Sequence, residues 1–444
     1  MSQSRDDGAT NDGAADGARR RERLVLLVLA AVQFTSIVDF MVIMPLGPQL
    51  MRTLSINPAR FGMLVSSYTF AACVAGLLAS PVVDRFGRKA AFLTLYSGFL
   101  VGTLFCGLAD GYSALLAARI VTGAFGGILG GMALTIIGDL VPEERRGAAI
   151  GSLTSAFALA SVLGVPFGIY LGNRFDWHAP FLMLVALGSL VLLVALRVLP
   201  TLRDHVRGAH FRAHPLDELR ATLTDPGHLR AFALVASLML GGFLVIPYLA
   251  AYLVANVGIS ESTLTWLYVG GGTLTLVAAP IIGKLADRFG KLRLYRLVAP
   301  FAALMMLVAT NLPRVSQAVA IGVAALLMAA NAGRMVVAMA MVTGSVEPRR
   351  RGSFMSVNSS VQHFSTGLGA FLGGQIVVKA ADQSLLYFDR VGYLAVAATA
   401  VSLVLAGRLR TAGPVPASTT ATSLEAAAEA LADADELLWA DESA

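Results

Sequence analysis

Residues 80–91 read SPVVDRFGRKAA, and residues 283–294 read GKLADRFGKLRL. Both carry Asp-Arg-Phe-Gly followed by a basic residue, Asp84 to Arg88 and Asp287 to Lys291. The two copies stand 203 residues apart in a chain of 444, close to half its length. Their setting makes them conspicuous. The chain is 56% hydrophobic and only 14% charged, with mean hydropathy +0.70, whereas soluble globular domains run at about 25% charged. A charged turn written twice in so apolar a chain points to a duplicated unit.

Working outward from the two turns, the apolar residues fall in runs of about 18–25, the length that crosses a hydrocarbon core of about 30 Å. Twelve spans are read, approximately 24–46, 61–83, 90–108, 113–138, 148–172, 179–199, 231–256, 263–286, 293–312, 316–344, 353–378 and 390–407. The expected fold is therefore all-α and polytopic, with twelve transmembrane helices in two pseudo-symmetric six-helix bundles. About 26 of the 34 Lys and Arg residues lie on one side of these spans. Six lie on the other (Arg52, Arg60, Arg174, Arg314, Lys379 and Arg390), and Arg119 and Arg334 lie within spans. The positive-inside rule then places both termini in the cytoplasm, and an even number of spans requires both ends on one side. The net charge of +6 is explained by this asymmetry, so no nucleic-acid partner is expected.

The segment before the first span is polar and ends in a basic cluster. It lacks the short apolar run and small-residue cleavage pattern of a secretory signal and reads as a disordered tail, residues 1–22. Residues 23–200 are the first bundle, 201–230 a cytoplasmic linker, 231–407 the second bundle and 408–444 an acidic, Ala-rich cytoplasmic tail. Thr422 and Glu425 have capping-box spacing, which fits a short amphipathic helix near 423–439 or an Ala-rich tail with transient helix. Cys73 and Cys106 both lie in apolar runs and indicate no disulfide framework. The repeat extends past the opening motif: VPEERRGAAIGSL at 141 aligns with VEPRRRGSFMSVN at 346, which matches Gly147 with Gly352, Gly164 with Gly369 and Gly168 with Gly373. Parallel repeats of this kind pack about an axis along the membrane normal.

Six plus six spans, with a Gly-x-x-x-Asp-Arg-x-Gly-Arg-Lys-type loop between spans two and three and again between eight and nine, resemble the major facilitator superfamily over about residues 23–407. Arg119-x-x-x-Gly123 in span four is similar to a second motif of that family. GVPFGIYLG in span five, with WHAPF at 177–181, resembles the antiporter motif of drug and sugar exporters. The branch most resembled is the arabinose-efflux-permease type among drug:proton antiporters. Two departures stand: Ser80 occupies the usual first Gly, and Val165 separates Gly164 from Pro166. The resemblance implies a monomer in the cell membrane that moves a small molecule, with protons as the coupling ion.

The resemblance also implies roles for the loops. Asp84, Arg85, Gly87 and Arg88 with Asp139, and Asp287, Arg288, Gly290 and Lys291 with Glu347, would latch the halves when the cavity faces outward. Asp84 is expected near the start of span eleven, where a helix N-terminus favours a carboxylate, and Asp287 near the start of span five. Arg88 is expected to reach Asp139, and Lys291 to reach Glu347. Gly164, Gly168 and Gly172 recur every four residues on span five, with Pro166 as a kink. That smooth stripe is expected to seal the halves together, or else to be ordinary small-residue packing.

Ionisable groups at membrane depth are functional candidates by default. Asp39 lies about 24 Å along span one, and Arg119 about 9 Å from the opposite end of span four. They are thus at similar depth and expected to pair across one cavity. The pair is either a proton-coupling device or a structural ion pair. In the first case, a substrate that displaces Arg119 leaves the carboxylate free to take a proton. In the second half, Arg334 in span ten is expected to share the cavity wall with Asn358, Gln362 and His363 of span eleven. Asn358 and Gln362 share a helix face at i,i+4, and a span this polar cannot face lipid. His363 is either part of that wall or a hydrogen-bonded packing residue. Phe34, Phe40, Tyr68 and Phe70 are lesser candidates, as ligand-stacking residues or interface anchors.

The sequence contains no nucleotide-binding Gly loop ending in Lys-Ser/Thr, no metal-spaced His/Cys set and no paired catalytic carboxylates. An enzyme is not expected, and neither is any cofactor. The leading reading is a proton-coupled exporter of a small organic molecule (a drug, sugar or metabolite) working by alternating access. The alternatives are a sugar or metabolite facilitator or symporter and, further off, a non-transporting membrane receptor or sensor.

Overall fold

In hydrocarbon a chain must satisfy its own backbone hydrogen bonds, and helices do so within one segment. The computed structural model describes residues 6–83, 87–200, 215–347 and 351–409. Its first half comprises α1 (Asp6–Val42), the short α2 (Gly47–Thr53), α3 (Pro58–Val83), α4 (Arg88–Gly107) and α5 (Tyr112–Leu140). It continues with α6 (Glu143–Leu159), α7 (Val165–Arg174) and α8 (Ala179–Val198). The second half comprises a short α9 (Pro215–Thr224), then α10 (Pro226–Tyr252), α11 (Glu261–Phe289), α12 (Lys291–Thr310), α13 (Gln317–Gly344), α14 (Arg351–Ile376) and α15 (Phe388–Arg408). A two-stranded hairpin, β1 (Val378–Lys379) with β2 (Leu385–Leu386), joins α14 to α15.

Eleven helical segments among the described residues are long and apolar enough to cross a membrane. The twelfth, α14, is 26 residues long but carries Asn358, Ser359, Ser360, Gln362, His363, Ser365 and Thr366 in one run. It is wedged between α3 of the first half and α10 of its own, so its polar atoms are kept off lipid. The close fit depends on glycine. A side chain at Gly367 would strike Thr69 and Phe70, and one at Gly374 would strike the Pro58 carbonyl and the Tyr248 hydroxyl.

Several boundaries differ from expectation for local reasons. The first span ends at Val42 rather than 46, because Pro45 and Pro48 disfavour the helical conformation before them. Its helix also starts at Asp6, where a disordered tail to residue 22 was expected. Extending a helix that the span has already nucleated is easier than starting one, and ARRRERL is a good helix former. Span five is broken by a π-helical turn, Ala160–Gly164. Pro166 cannot donate to the carbonyl four residues back, and the widened turn before it absorbs the mismatch. Residues 201–214 of the linker and the expected helix at 423–439 lie outside the described residues.

The buried apolar side chains among the described residues fall into three clusters. At the end of the molecule away from the Asp-Arg-Phe-Gly loops, one cluster draws on both halves: Val42, Leu46, Phe61 and Leu64 pack with Tyr248, Leu249, Leu264 and Leu267. At the loop-motif end the halves have separate cores. Val25, Leu29, Phe92 and Ile136 belong to the first half; Phe232, Tyr295, Val337 and Phe354 belong to the second. The halves are thus sealed at the distal end and parted at the motif end.

Polar contacts reinforce the distal seal. The Arg52 guanidinium binds both carboxylate oxygens of Glu261, at the start of α11. Asn173 Nδ2 donates to the Glu261 carbonyl at 3.0 Å. The Glu261 bond holds the Arg52 guanidinium above its usual pKa.

Candidate site: buried charges at the meeting of the cores

Asp39 and Arg119 are brought together. Arg119 Nη1 donates to Asp39 Oδ2 at 2.8 Å, and neither side chain has any exposed surface. Asp39 also accepts from Thr103 Oγ1 at 3.2 Å, and the Arg119 guanidinium lies 4.5 Å from the centroid of the Tyr68 ring. The backbone provides for this. Gly123, one turn after Arg119, is set against the Tyr68 backbone so closely that a side chain there would strike its carbonyl. That approach brings α3 and α5 together and slides the aromatic ring under the arginine. Three observations describe the chemistry: a carboxylate with two donors, an arginine with one carboxylate, and no water-exposed surface on either. Thr103 and Tyr68 were not identified as partners from the sequence, because a Thr and a Tyr in apolar runs give no signal of what they touch.

Depth matters as well. Val32 belongs to the motif-end core of the first half and Val38 to the shared distal core, so Asp39 sits just beyond where the parted halves meet.

Arg334 lies farther from the distal end of its own span, between Leu327 of the distal core and Val337 of the motif-end core. It is 2% exposed. Its Nη1 donates to Thr399 Oγ1 at 3.0 Å and its Nη2 to the Leu238 carbonyl at 3.4 Å. No carboxylate pairs with it among the described residues.

The expected wall of Arg334, Asn358, Gln362 and His363 is not formed as one cluster. Helix α14 packs chiefly on α3 and α10 and α13 chiefly on α11 and α12, and Arg334 turns toward α10 and α15. Asn358 is fully buried with neither amide atom hydrogen-bonded. Gln362 is partly exposed, and partly exposed His363 lies against the Gly127 backbone of α5. The aromatics mark the seam between halves: Phe40 meets Phe243 at 6.0 Å, and Phe70 meets Phe364 at 5.7 Å.

The glycine stripe faces another way than expected. Side chains at Gly164, Gly168 and Gly172 would strike Val38, Val42 and Leu46, so the stripe seats span five on α1 of the same half. Contact with the opposite half is made beside the stripe: α7 and the π-turn before Pro166 both pack on α11, where Gly272 lies against the Ser161 carbonyl and Val162. A four-residue stripe marks a close approach but does not name the partner helix.

At the first charged loop, Arg88 Nε bonds Asp139 Oδ2 at 3.1 Å, and Gly87 precedes α4 in extended backbone. Asp84 and Arg85 lie outside the described residues. At the second, Lys291 does not reach Glu347, which is exposed. Lys291 Nζ donates instead to the Ala340 carbonyl at 3.3 Å, near the C-terminal end of α13, where the helix dipole favours a cation. Gly290 has φ +91°, a conformation that favours glycine. Asp287 and Arg288 are exposed, so the expected contact of Asp287 with span five is not made. Only the missing Asp287 contact would have joined the two halves; Lys291 and Glu347 both belong to the second.

Comparison with known proteins agrees with this architecture. A family model described as Major Facilitator Superfamily matches residues 29–244 and 231–441. An uncharacterized MFS-type transporter of Bacillus subtilis, YtbD, is 25% identical over 352 residues, 79% of this chain and 88% of that protein. Multidrug resistance protein 3 of the same organism is 34% identical over 146 residues, 33% of this chain and 28% of that one. Among solved structures, a bacterial homologue of the human lysosomal transporter Spinster, in an inward-facing and unoccupied conformation, matches with TM-score 0.66 at 19% identity. That match covers 89% of this chain and 99% of the other. With each half matched by the family model and twelve helices arranged in two bundles, the chain belongs to the Major Facilitator Superfamily, a family of multi-pass membrane transporters rather than enzymes.

Proposed function

We propose that this transporter is a proton-coupled exporter: it exchanges protons for a small organic molecule by alternating access. The observation that carries the reading is the sealed Asp39–Arg119 pair. An ion pair with no exposed surface inside the membrane-spanning helices is expensive to build, and a carboxylate there becomes a proton carrier once its arginine is drawn away. Thr103 holds the carboxylate in place meanwhile. The parted motif-end cores and sealed distal core describe one end state of the cycle. With the motif end cytoplasmic, as the Lys and Arg bias suggests, substrate enters from the cytoplasm. Residues 23–200 and 231–407 are then the two rocking bundles. The Arg88–Asp139 and Lys291 contacts lie where the motif-end latch would re-form, and Gln362 and His363 line the second half's side of the path. The likeness to a multidrug resistance protein over part of the chain and the antiporter-like GVPFGIYLG support export over uptake.

The test is an efflux and susceptibility panel in an exporter-deficient host, with and without a protonophore. Export of at least one compound, stopped by the protonophore, is expected. Flux that persists when the pH gradient is dissipated would instead identify a facilitator, and proton-driven accumulation into the cell a symporter.

A further inference from the structure

Three side chains among the described residues are charged and fully or almost fully buried: Asp39, Arg119 and Arg334. The first two neutralise each other. Arg334 is left with a hydroxyl and a backbone carbonyl, so the buried set carries one net positive charge. An uncompensated buried charge is unfavourable unless something answers it.

Gly242 of α10 faces Arg334: a β-carbon there would stand 3.2 Å from Arg334 Nη2, tighter than an ordinary contact, and 3.8 Å from Asn331 Oδ1. The glycine thus lets a guanidinium and an amide oxygen lie close against the α10 backbone. Asn331 is one helical turn before Arg334; its Nδ2 bonds the Leu327 carbonyl, and its Oδ1 is buried with no hydrogen-bond partner. Gly242 also precedes Phe243, which meets Phe40 across the seam between halves. Arg334 therefore adjoins the seam between the halves.

We propose that Arg334 is the substrate's counter-charge, and that the transported molecule carries a carboxylate, or another anionic group of that size, which docks at Arg334 over Gly242. A carboxylate can take two parallel N–H bonds from a guanidinium, supplying the partner that the fold withholds. Asn331, by rotating its amide, offers N–H groups to the same anion or its oxygen to a substrate hydroxyl. The pairing also divides the work between the halves: the first half holds a carboxylate for the proton, and the second holds an arginine for the anion. This deepens the export reading by naming a substrate class, but the binding step does not depend on the direction of transport.

The experiment uses the purified full-length protein in detergent, with thermal unfolding followed against added ligand. The probes are matched acid and amide pairs, benzoate with benzamide, salicylate with salicylamide and phenylacetate with phenylacetamide, together with benzylamine. At least one acid should raise the unfolding temperature in a saturable way while its amide and the amine do not. In Arg334→Gln the apparent affinity for that acid should fall at least tenfold, and in Arg334→Lys by less. Gly242→Ala keeps the arginine but presses a β-carbon against its guanidinium, and should weaken the acid several-fold. It also decides the matter if Arg334→Gln fails to fold. The proposal is overturned if no acid is preferred over its amide, or if the preference survives in Arg334→Gln or, where that variant does not fold, in Gly242→Ala. Protonophore-sensitive export of cationic or neutral dyes that is unchanged in Arg334→Gln would leave the export reading standing while removing the anion. Preference for acids without any proton-dependent flux would do the reverse.

Discussion

Arg119 and Arg334 are both buried arginines, on the fourth span of the first half and the fourth of the second, yet the fold treats them differently. Arg119 has a carboxylate at 2.8 Å and an aromatic ring under its guanidinium. Arg334 has a threonine hydroxyl and a backbone carbonyl. One half thus closes its electrostatics internally and the other leaves them open. In a duplicated fold, this is where the two copies have diverged in role. The same architecture carries a self-contained switch on one side and an unanswered charge on the other.

The sharpest way to break the comparison is to remove each charge in turn. Asp39→Asn leaves Arg119 buried without its counter-ion and should cost about 3–5 kcal/mol of stability, read as a drop in unfolding temperature. Adding Arg119→Gln should recover most of that loss, because nothing is then left unpaired. Arg334→Gln, which strands no carboxylate, should stay within about 1 kcal/mol of wild type or rise above it. If Arg334→Gln were as damaging as Asp39→Asn, the arginine would have a hidden anionic partner and the contrast would collapse.

A second difference lies in how the halves touch. The distal contact of span five with α11 runs through Gly272 against the Ser161 carbonyl. Gly272→Val should overpack it by about 1–3 kcal/mol and shift the protein away from the distally sealed state. Increased labelling of cysteines introduced at the distal end would report that shift. The equivalent change in the stripe, Gly168→Val, should instead disturb the seat of span five on α1 within one half, lowering stability without favouring either state.

The smallest effect is expected at the distal ion pair. The Arg52 side chain is 63% exposed, so solvent screens the pair and its worth is about 0.5 kcal/mol. Arg52→Ala should therefore shift the balance of states about two-fold, less at high salt. Arg52 titrates above its usual value. A raised cation keeps its contribution below its unfolded-state pKa and loses it only as pH rises through the folded one, far above the physiological range. Deprotonation of this arginine should therefore give the distal seal no pH dependence between about pH 6 and 9.

Much of this was legible in the sequence. The apolar runs and the repeated Asp-Arg-Phe-Gly turn gave the spans and the two halves, because both follow from the solvent the chain lives in. Asp39 and Arg119 could be matched by counting residues along antiparallel helices. What the sequence could not supply were partners chosen by packing. The stripe at Gly164, Gly168 and Gly172 announced a close neighbour without saying that it was α1. Arg52, Glu261 and Asn173 lie at or beyond the ends of the apolar runs and carry no signal of pairing, since only docking of the halves brings them together. Arg334, Asn358, Gln362 and His363 are all polar groups in spans, but α13 and α14 pack on different neighbours and Arg334 turns to α10 and α15.

The central claim is that the Asp39 carboxylate carries the proton that drives transport. It is tested most directly with the full-length protein in proteoliposomes, comparing substrate flux driven by an imposed pH gradient with counterflow in the absence of one. The account predicts that Asp39→Asn abolishes the gradient-driven flux and keeps counterflow. Gradient-driven transport by Asp39→Asn at the wild-type rate would contradict it and leave the Asp39–Arg119 pair as structure alone.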